Sequence, residues 1–426
     1  MSLLLLLLAC QGGPLDSAPL ELELSGLSAT PHELFPTLLE VDWQQNREAS
    51  VQVQARVVGE DWREVLGTTV AGLPYGAEVE LRLVAEDQQS EPISLQLEEL
   101  PLGFPVPTLT VDEGGDPALP WVLGSICQAE GEWVGGIHWS FVLDRQGRVV
   151  WARKTPMTRW TLYARQSRDG RSLLLDEGSY WAEWDAGAAA KVQRLLLDGT
   201  ELHTYATEGL QHSYDELPQG GLVYGAARVQ DEAVVRLHED GTSEEIWTCK
   251  EGTDAYGAYC FSNTVSYDEA SGNLLFSNPD ANQIAELTLE GQTLALYGTE
   301  GYGFQEPTNS FKWQHGSIYD QDGHLLVSTH SNGVAETVVR AYEVDHEAQL
   351  LRQVYSFGEG LGLHGEYGGS VVRSEDGYLL QELGSAAVIR EASPAGELVW
   401  QVEFEGPRQL GRAQYIQDLY TLLPEG

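Results

Sequence analysis

Short runs of alternating apolar and polar residues recur along the chain, and acidic-Gly or Pro-x-Gly turns separate them. In five runs the turn glycines are spaced 50 to 54 residues apart: Gly170, Gly220, Gly272, Gly323 and Gly377. A sixth copy without a turn closes the chain between Ala413 and Leu423. A fixed period of this size, with several short strands in each unit, predicts a β-propeller.

A second set of hairpins lies between these runs and supplies the other strands of each unit. The second hairpins begin at Ser140, Lys191, Ala233, Gln283, Val338 and Ala387. Six first and six second hairpins predict six four-stranded blades. The chain enters on a second hairpin, at about 137–154, and leaves on a first-type strand, at about 411–423. We expect these two pieces to share one blade, because closing the ring removes open sheet edges.

The chain before the propeller is predicted to form a small β-sandwich, so the whole protein is expected to be all-β. The stretch VAGLPYGAEVELRLVAE resembles the corner region of fibronectin type III domains, and a fibronectin- or immunoglobulin-like sandwich is the expected fold. The predicted segments are a signal peptide over 1–10, a tether over 11–28, the sandwich over 29–100, a Pro- and Gly-rich linker over 101–120, and the propeller over 121–426.

The N-terminus resembles a bacterial lipoprotein signal. A compact apolar run ends in Leu7-Leu8-Ala9-Cys10, where cleavage before Cys10 would allow a diacylglycerol to be attached. The alternative is a hydrophobic tail that ends in a chance cysteine, since the run is short and no Lys or Arg precedes it. Because Gln11 follows the cysteine, we expect an exported protein anchored to the outer membrane, at the periplasmic face or the cell surface. The lipid anchor would be its only membrane contact.

The charge balance excludes one class of partner. The chain has 24 Lys and Arg against 65 Asp and Glu, a formal net charge of −41. Such a surface repels phosphate backbones, so nucleic acid is not an expected partner. Solubility is the ordinary role of this charge.

Three cysteines follow Cys10, and two of them are close in sequence. Cys249 and Cys260 are 11 residues apart, and export favours a disulfide that clips the loop between them. Free, buried thiols are the alternative. No Cys-x-x-Cys or His-x-x-x-His pair occurs, so we expect no structural metal site and no cofactor.

Two histidines occupy equivalent places in the repeat. His212 and His315 each stand eight residues before a turn glycine and each follows a glutamine. One histidine at a strand start is more often structural, but two in equivalent registers would converge on the propeller axis. His364 lies five residues upstream of its own register and is expected on a loop above the channel.

Most of the propeller, most clearly from Phe261 to Asn332, resembles the bacterial arylsulfate sulfotransferases. The segments that carry the resemblance are FSNTVSYDEASGNLLFSNP, FKWQHGSIYDQDGHLLVSTHSNG and the closing RAQYIQDLY. The resemblance implies a ping-pong transfer without a cofactor. His315 would take a sulfuryl group from a small aromatic sulfate and pass it to a phenol, and His212 would hold the sulfuryl oxygens.

Two positions depart from the family pattern, which leaves other functions open. Phe261 stands where the family has a histidine, and Asn278-Pro279 where it has an arginine. Losing such cationic groups weakens catalysis. The possible substitutes are His364 and Arg412, together with Lys312, Arg340 and Arg390.

Two alternatives to an active sulfotransferase remain. One is a catalytically inactive binding or scaffold lipoprotein that uses the channel or a face of the propeller. The other is a propeller lyase or lactonase with a channel metal, which would need several channel carboxylates or histidines. Asp215 and Asp268 lie in first-strand hairpins, where such residues are more typical of turns.

Overall fold

The computed structural model of the protein describes residues 22–128, 136–156, 159–178, 190–228, 231–253, 260–298, 301–331, 335–406 and 408–424. These residues form 34 strands, one short helix, α1 (Cys249–Thr253), and 3₁₀ turns at Pro307–Asn309, Gly384–Ala386 and Tyr420–Leu422. Among them, no helix has the length and apolar character that crossing a membrane requires. Cys10 and residues 11–21 of the predicted tether lie outside the described residues.

The first eight strands form two antiparallel sheets around one hydrophobic cluster. They are β1 (Leu24–Pro31), β2 (Leu39–Gln45), β3 (Gln52–Val57), β4 (Arg63–Glu64), β5 (Thr69–Val70), β6 (Glu78–Ala85), β7 (Gln88–Gln89) and β8 (Ile93–Gln96). One sheet has the order β1-β2-β5, and the other joins β4, β3, β6 and β7, with β8 also on β6. Side chains of both sheets share the cluster that contains Leu39, Val53 and Leu81. A fibronectin- or immunoglobulin-like sandwich stays a prediction.

The rest of the described chain forms six antiparallel sheets, here called blades 1 to 6. Blade 1 contains β10 (Trp121–Gln128), β11 (His138–Leu143), β12 (Val149–Lys154) and β34 (Arg408–Ile416). Blade 2 contains β13 (Ala164–Gln166), β14 (Leu173–Glu177), β15 (Lys191–Leu195) and β16 (Glu201–Ala206). Blade 3 contains β17 (Leu210–Glu216), β18 (Leu222–Arg228), β19 (Asp231–Leu237) and β20 (Ser243–Thr248).

The other three blades repeat this order. Blade 4 contains β21 (Thr264–Tyr267), β22 (Leu274–Asn278), β23 (Gln283–Leu287) and β24 (Thr293–Gly298). Blade 5 contains β26 (His315–Tyr319), β27 (Leu325–His330), β28 (Thr337–Asp345) and β29 (Leu350–Phe357), with β25 (Gly303–Phe304) parallel to β29. Blade 6 contains β30 (Ser370–Arg373), β31 (Leu379–Leu383), β32 (Val388–Ala392), β33 (Leu398–Phe404) and β9 (Pro107–Asp112).

The innermost strands form a ring, which makes this arrangement a β-propeller. Each inner strand contacts the next one in the series β17, β21, β26 and β30. The last inner strand, β34, contacts both β30 and β13. Between blades 2 and 3, the Tyr214 hydroxyl donates to the carbonyl oxygens of Tyr163 at 2.9 Å and Leu174 at 2.8 Å. The five repeat glycines all have positive φ, between 71° and 86°. This conformation suits glycine, which explains why the turn residue repeats.

The predicted ring closure is confirmed, with two corrections. The N-terminal and C-terminal pieces share blade 1, where β10 pairs with both β11 and β34. The blade begins at Trp121 rather than at 137, because β10 supplies a strand that the pattern missed. The last strand ends at Ile416 rather than at 423. The chain leaves the sheet there because Leu419 and Leu422 pack into the apolar cluster between blades 1 and 2.

The predicted linker 101–120 contains a strand of the propeller. Within it, β9 pairs with β33 and adds a fifth strand to the outer edge of blade 6. This strand covers an edge that would otherwise be open to pairing with another chain.

Alternation along the strands stacks each blade against both neighbours. In β14, Leu173 and Leu175 pack in a cluster with Trp151 of blade 1, whereas Leu174 packs in a cluster with Tyr214 of blade 3. Successive side chains of a strand point to opposite faces, so a strand in the middle of a blade is apolar on both. Burial between blades therefore holds the ring together.

The N-terminal module lies against the outer strands of blade 1. The Phe35 ring stacks on Trp151 with 5.3 Å between centroids. The Thr37 hydroxyl donates to the Val150 carbonyl oxygen at 2.7 Å, and the Tyr75 amide donates to the Val149 carbonyl oxygen at 3.0 Å. These contacts fix the module to the propeller.

Candidate functional site

Six polar residues, one from each blade, are connected by contact or by charge to one another, and we call this set the axial cluster. Its members are Tyr163, His212, Thr264, His315, Glu382 and Arg412. His315 begins β26, and Thr264 begins β21. His212 is the third residue of β17, at an irregularity in the pairing with β18. The repeat thus brings one chemically useful side chain per blade to the same end of the propeller.

Arg412 crosses the axis. Its Nη2 donates to the Asn263 carbonyl oxygen at 2.5 Å and to the Thr264 hydroxyl at 3.0 Å. Its guanidinium also lies 4.7 Å from the centre of the Tyr163 ring. Arg412 belongs to blade 1 and Thr264 to blade 4, and these blades are opposite each other in a ring of six. The guanidinium therefore places a permanent positive charge on the axis.

His315 is held in one tautomer. Its Nδ1 is 3.1 Å from the Trp313 carbonyl oxygen. A carbonyl can only accept, so Nδ1 carries the proton and Nε2 keeps its lone pair. Burial lowers the pKa of His315 to about 4, and the charges of His330 and Arg412 act in the same direction. At neutral pH the ring is uncharged, which is the state a nucleophile requires.

The backbone around His315 is itself tightly held. Trp313 has φ +45°, a left-handed conformation that is uncommon for a bulky residue. Its amide donates to the Asn282 side-chain oxygen at 2.8 Å, and its carbonyl accepts the His315 proton. Backbone outliers of this kind cluster at functional sites.

His212 shares the electrostatic environment of His315. Burial lowers the pKa of His212 to about 3, and the charges of His315 and Arg412 lower it further. The three groups are close enough to affect one another's ionisation. His212 is therefore also a neutral imidazole at pH 7, able to donate or accept one hydrogen bond.

Glu382 was not predicted from the sequence, although it lies beside Arg412. It stands on β31 opposite Ser370, whose hydroxyl is a hydrogen-bond partner of its carboxyl group, and it is 1% exposed. Burial raises the pKa of Glu382 well above its ordinary value, and the Arg412 charge offsets only part of this effect. An acidic residue inside the apolar strand Leu379–Leu383 was the signal that could have identified it.

The other proposed cations lie away from the axial cluster. His364 is exposed, and the centre of its ring lies 4.7 Å from that of His330, with the two planes tilted by 60°. Arg390 is buried and donates to the Gln381 side chain at 2.8 Å. Arg340 donates to the Ser310 carbonyl oxygen at 2.8 Å, and Lys312 is exposed. Of the suggested substitutes, Arg412 is the one that the structure brings to His212 and His315.

The two departures from the family pattern lie near the predicted disulfide. Phe261 is half-buried just before β21. Asn278 is buried, and its amide nitrogen lies 3.6 Å and 3.5 Å from the sulfurs of Cys249 and Cys260. The structure joins these two cysteines in a disulfide. Cys127 is a buried free thiol.

The carboxylates considered for a channel metal are engaged elsewhere. Asp215 forms an ion pair with Arg165, and Asp268 accepts a hydrogen bond from the Ser271 hydroxyl at 2.5 Å. Two groups of potential ligand atoms occur among the described residues: Asp231, Cys249 and Cys260, and Asp320, Asp322 and His324. The first contains the disulfide, and the second lies in the turn that follows β26. Neither group includes a residue of the axial cluster.

Comparison with known proteins identifies no family. No protein-family model matches the chain, and no curated protein matches it. The resemblance to arylsulfate sulfotransferases therefore rests on the quoted motifs alone and stays a prediction.

The chain is distantly similar to several solved structures. One is a protein of unknown function from Bacteroides caccae, with 14% identity, a TM-score of 0.47, and coverage of 70% of this chain and 100% of that one. Another is a virginiamycin B lyase from Staphylococcus aureus, with 12% identity, a TM-score of 0.42, and coverage of 71% and 99%. A third is a provisionally named 6-phosphogluconolactonase from Bacteroides fragilis, with 11% identity, a TM-score of 0.43, and coverage of 87% and 98%. None of these values supports transferring an activity.

Proposed function

We propose that the axial cluster binds an aryl sulfate and that His315 Nε2 accepts its sulfuryl group before a phenol takes it. The observation that carries this proposal is the hydrogen bond from His315 Nδ1 to the Trp313 carbonyl oxygen. It leaves the Nε2 lone pair available on a neutral ring. Arg412 and His212 lie in the same electrostatic environment and would stabilise the sulfuryl oxygens.

The cations available on the propeller axis support a substrate ester that carries a single negative charge. The sequence has no Lys or Arg in the segments that lie outside the described residues. The inner-strand residues Arg165 and Arg373 are paired with Asp215 and Asp320. Arg412 is therefore the fixed cation that an anion on the axis would meet, and it balances one negative charge.

The proposal is tested by mixing the purified protein with 4-nitrophenyl sulfate and phenol. Release of 4-nitrophenolate should require His315 and should be lost in His315→Ala. His212→Ala should slow release by about a hundredfold, the order of effect of one oxyanion donor. His238→Ala is a matched control, because His238 lies in the turn between β19 and β20 and should leave the rate unchanged. Release at the wild-type rate by His315→Ala contradicts the proposal.

A second candidate is an inactive binding or scaffold protein. Phe261 and Asn278 stand at the two positions where the arylsulfate sulfotransferases have cationic residues. In addition, Nη2 of Arg412 already donates hydrogen bonds to two oxygen atoms of blade 4. Binding of 4-nitrophenyl sulfate without release of 4-nitrophenolate favours this candidate. We also propose that the chain is exported and lipidated at Cys10.

A further inference from the structure

We propose that Glu382 is the proton donor and acceptor of the transfer. Its carboxyl group gives a proton to the aryloxide oxygen as that oxygen leaves, and the resulting carboxylate takes a proton from the phenol that arrives. This role rests on the proposed function, since it requires a sulfuryl transfer at His315.

The geometry places Glu382 on the blade next to that of the nucleophile. Blades 5 and 6 meet at Gly369, which precedes β30. A β-carbon at Gly369 would lie 3.3 Å from the His315 β-carbon and 3.6 Å from the Glu382 carbonyl oxygen. Arg412, on blade 1, acts on the Glu382 carboxyl from the other side. Blade 6, which carries Glu382, therefore lies between the blade of the proposed nucleophile and the blade of the axial cation.

The two histidines and the arginine of the cluster are poor proton donors at neutral pH. The Nδ1 proton of His315 is committed to the Trp313 carbonyl oxygen. Burial keeps His212 uncharged at neutral pH, and an arginine does not release its proton in this range. Glu382 is a buried carboxyl group, and the effect of burial, which favours its protonated form, exceeds the opposing effects of Arg412 and of the hydrogen bond from Ser370.

Atoms and charges balance in both half-reactions. In the first, the Nε2 lone pair of His315 attacks sulfur, the bond from sulfur to the aryl oxygen breaks, and that oxygen takes the Glu382 proton. The products are a phenol, a sulfuryl group on His315 and a Glu382 carboxylate. In the second, the carboxylate removes the proton of the acceptor phenol as its oxygen attacks sulfur, which restores neutral His315 and protonated Glu382.

The experiment compares two leaving groups in wild-type protein and Glu382→Gln. Phenolate is a poor leaving group that needs a proton, whereas 4-nitrophenolate leaves without one. We expect the variant to lose about a hundredfold or more in turnover of phenyl sulfate, and less than about tenfold with 4-nitrophenyl sulfate. Equal losses on both esters would assign Glu382 a structural role and overturn the proposal. Glu397→Gln, in an exposed turn of the same blade, should change neither rate.

A second measurement reports the proton directly. Infrared difference spectra of wild-type protein against Glu382→Gln at neutral pH should contain the carbonyl stretch of a protonated carboxyl group. If that band is missing, Glu382 is ionised and the proposed role is overturned even where turnover occurs. If the band is present but wild-type protein turns over neither ester, the proposed transfer itself fails, and the catalytic role of Glu382 fails with it.

Discussion

At the scale of single residues, burial decides the charge of the axial cluster. Burial lowers the pKa of His212 and of His315 and raises the pKa of Glu382, so it favours the neutral form of all three side chains. The permanent charge that remains belongs to Arg412. The cluster thus combines one fixed cation with two imidazoles, one carboxyl group and the hydroxyls of Tyr163 and Thr264.

The raised pKa of Glu382 predicts a pH-dependent stability. The folded protein keeps this proton over a range in which the unfolded chain, with an ordinary pKa of about 4.3, has lost it. Stability is therefore lost as pH rises above about 4.3, up to the folded pKa. We expect Glu382→Gln to be more stable than wild type at about pH 8 by about 1 kcal/mol or more, and less so at about pH 5. Urea unfolding at both pH values measures this.

His212 and His315 act in the opposite direction. Their folded pKa values of about 3 and about 4 lie below the unfolded value of about 6.5. Stability is therefore lost as pH falls below about 6.5. Wild type and Glu382→Gln share this contribution of the two histidines to the free energy of unfolding. It therefore cancels when the free energies of the two proteins are subtracted. A difference that does not change between the two pH values would contradict a protonated Glu382.

The sequence register predicted His212 and His315 because equivalent repeat positions can be compared along the chain. It could not show the partner of Arg412, because Asn263 and Arg412 are 149 residues apart in the sequence. The same limit applies to Glu382, whose importance depends on what the neighbouring blades place around it.

At the scale of the elements, β34 determines whether the ring closes. It pairs with β10 and contacts the inner strands of both neighbouring blades. Leu410 of β34 is 1% exposed and packs in the cluster between blades 1 and 6.

Shortening the Leu410 side chain should therefore lower the stability of the protein. We expect Leu410→Ala to lower the free energy of unfolding by about 2–5 kcal/mol, since it removes buried methyl groups and leaves a cavity. Val354→Ala is the matched control, because Val354 on β29 is 46% exposed and should change stability by less than about 0.5 kcal/mol. Urea unfolding compares the two. Similar losses in both variants would contradict the closing role of β34.

The periodic turns made the repeated sheets predictable, because a left-handed glycine follows the inner strand in five of the six blades. Strand ends were less predictable. The apolar pattern of β34 continues into the turn at Tyr420–Leu422. Leu419 and Leu422 are nevertheless buried between blades 1 and 2 and not within a sheet. The pattern also missed β9, whose pairing with β33 joins distant parts of the chain.

At the scale of the whole molecule, the charge of −41 opposes any anionic ligand. A sulfate ester would approach through a repulsive field and meet Arg412 only on the axis. The amino-acid composition predicted this negative electrostatic field. The packing of the N-terminal module on blade 1, through Phe35 and Trp151, could not be predicted from local sequence patterns.

The proposed anchor is a property of the whole protein and is tested in a bacterial host. We expect the wild-type chain to incorporate a clickable palmitate, because Leu7 to Cys10 matches a lipoprotein cleavage site. Cys10→Ala should abolish the label. A Cys127→Ala variant controls for attachment to another cysteine and should be labelled normally. Labelling that persists in Cys10→Ala would contradict the anchor.

The central claim is that His315 carries the sulfuryl group, and trapping that intermediate tests it most directly. The protein is incubated with 4-nitrophenyl sulfate without an acceptor, and its peptides are then analysed by mass spectrometry under conditions that preserve a sulfuryl–nitrogen bond. We predict a sulfuryl adduct on His315 that phenol removes and that His315→Ala does not form. Release of 4-nitrophenolate without an adduct, or an adduct on another residue, would contradict the account.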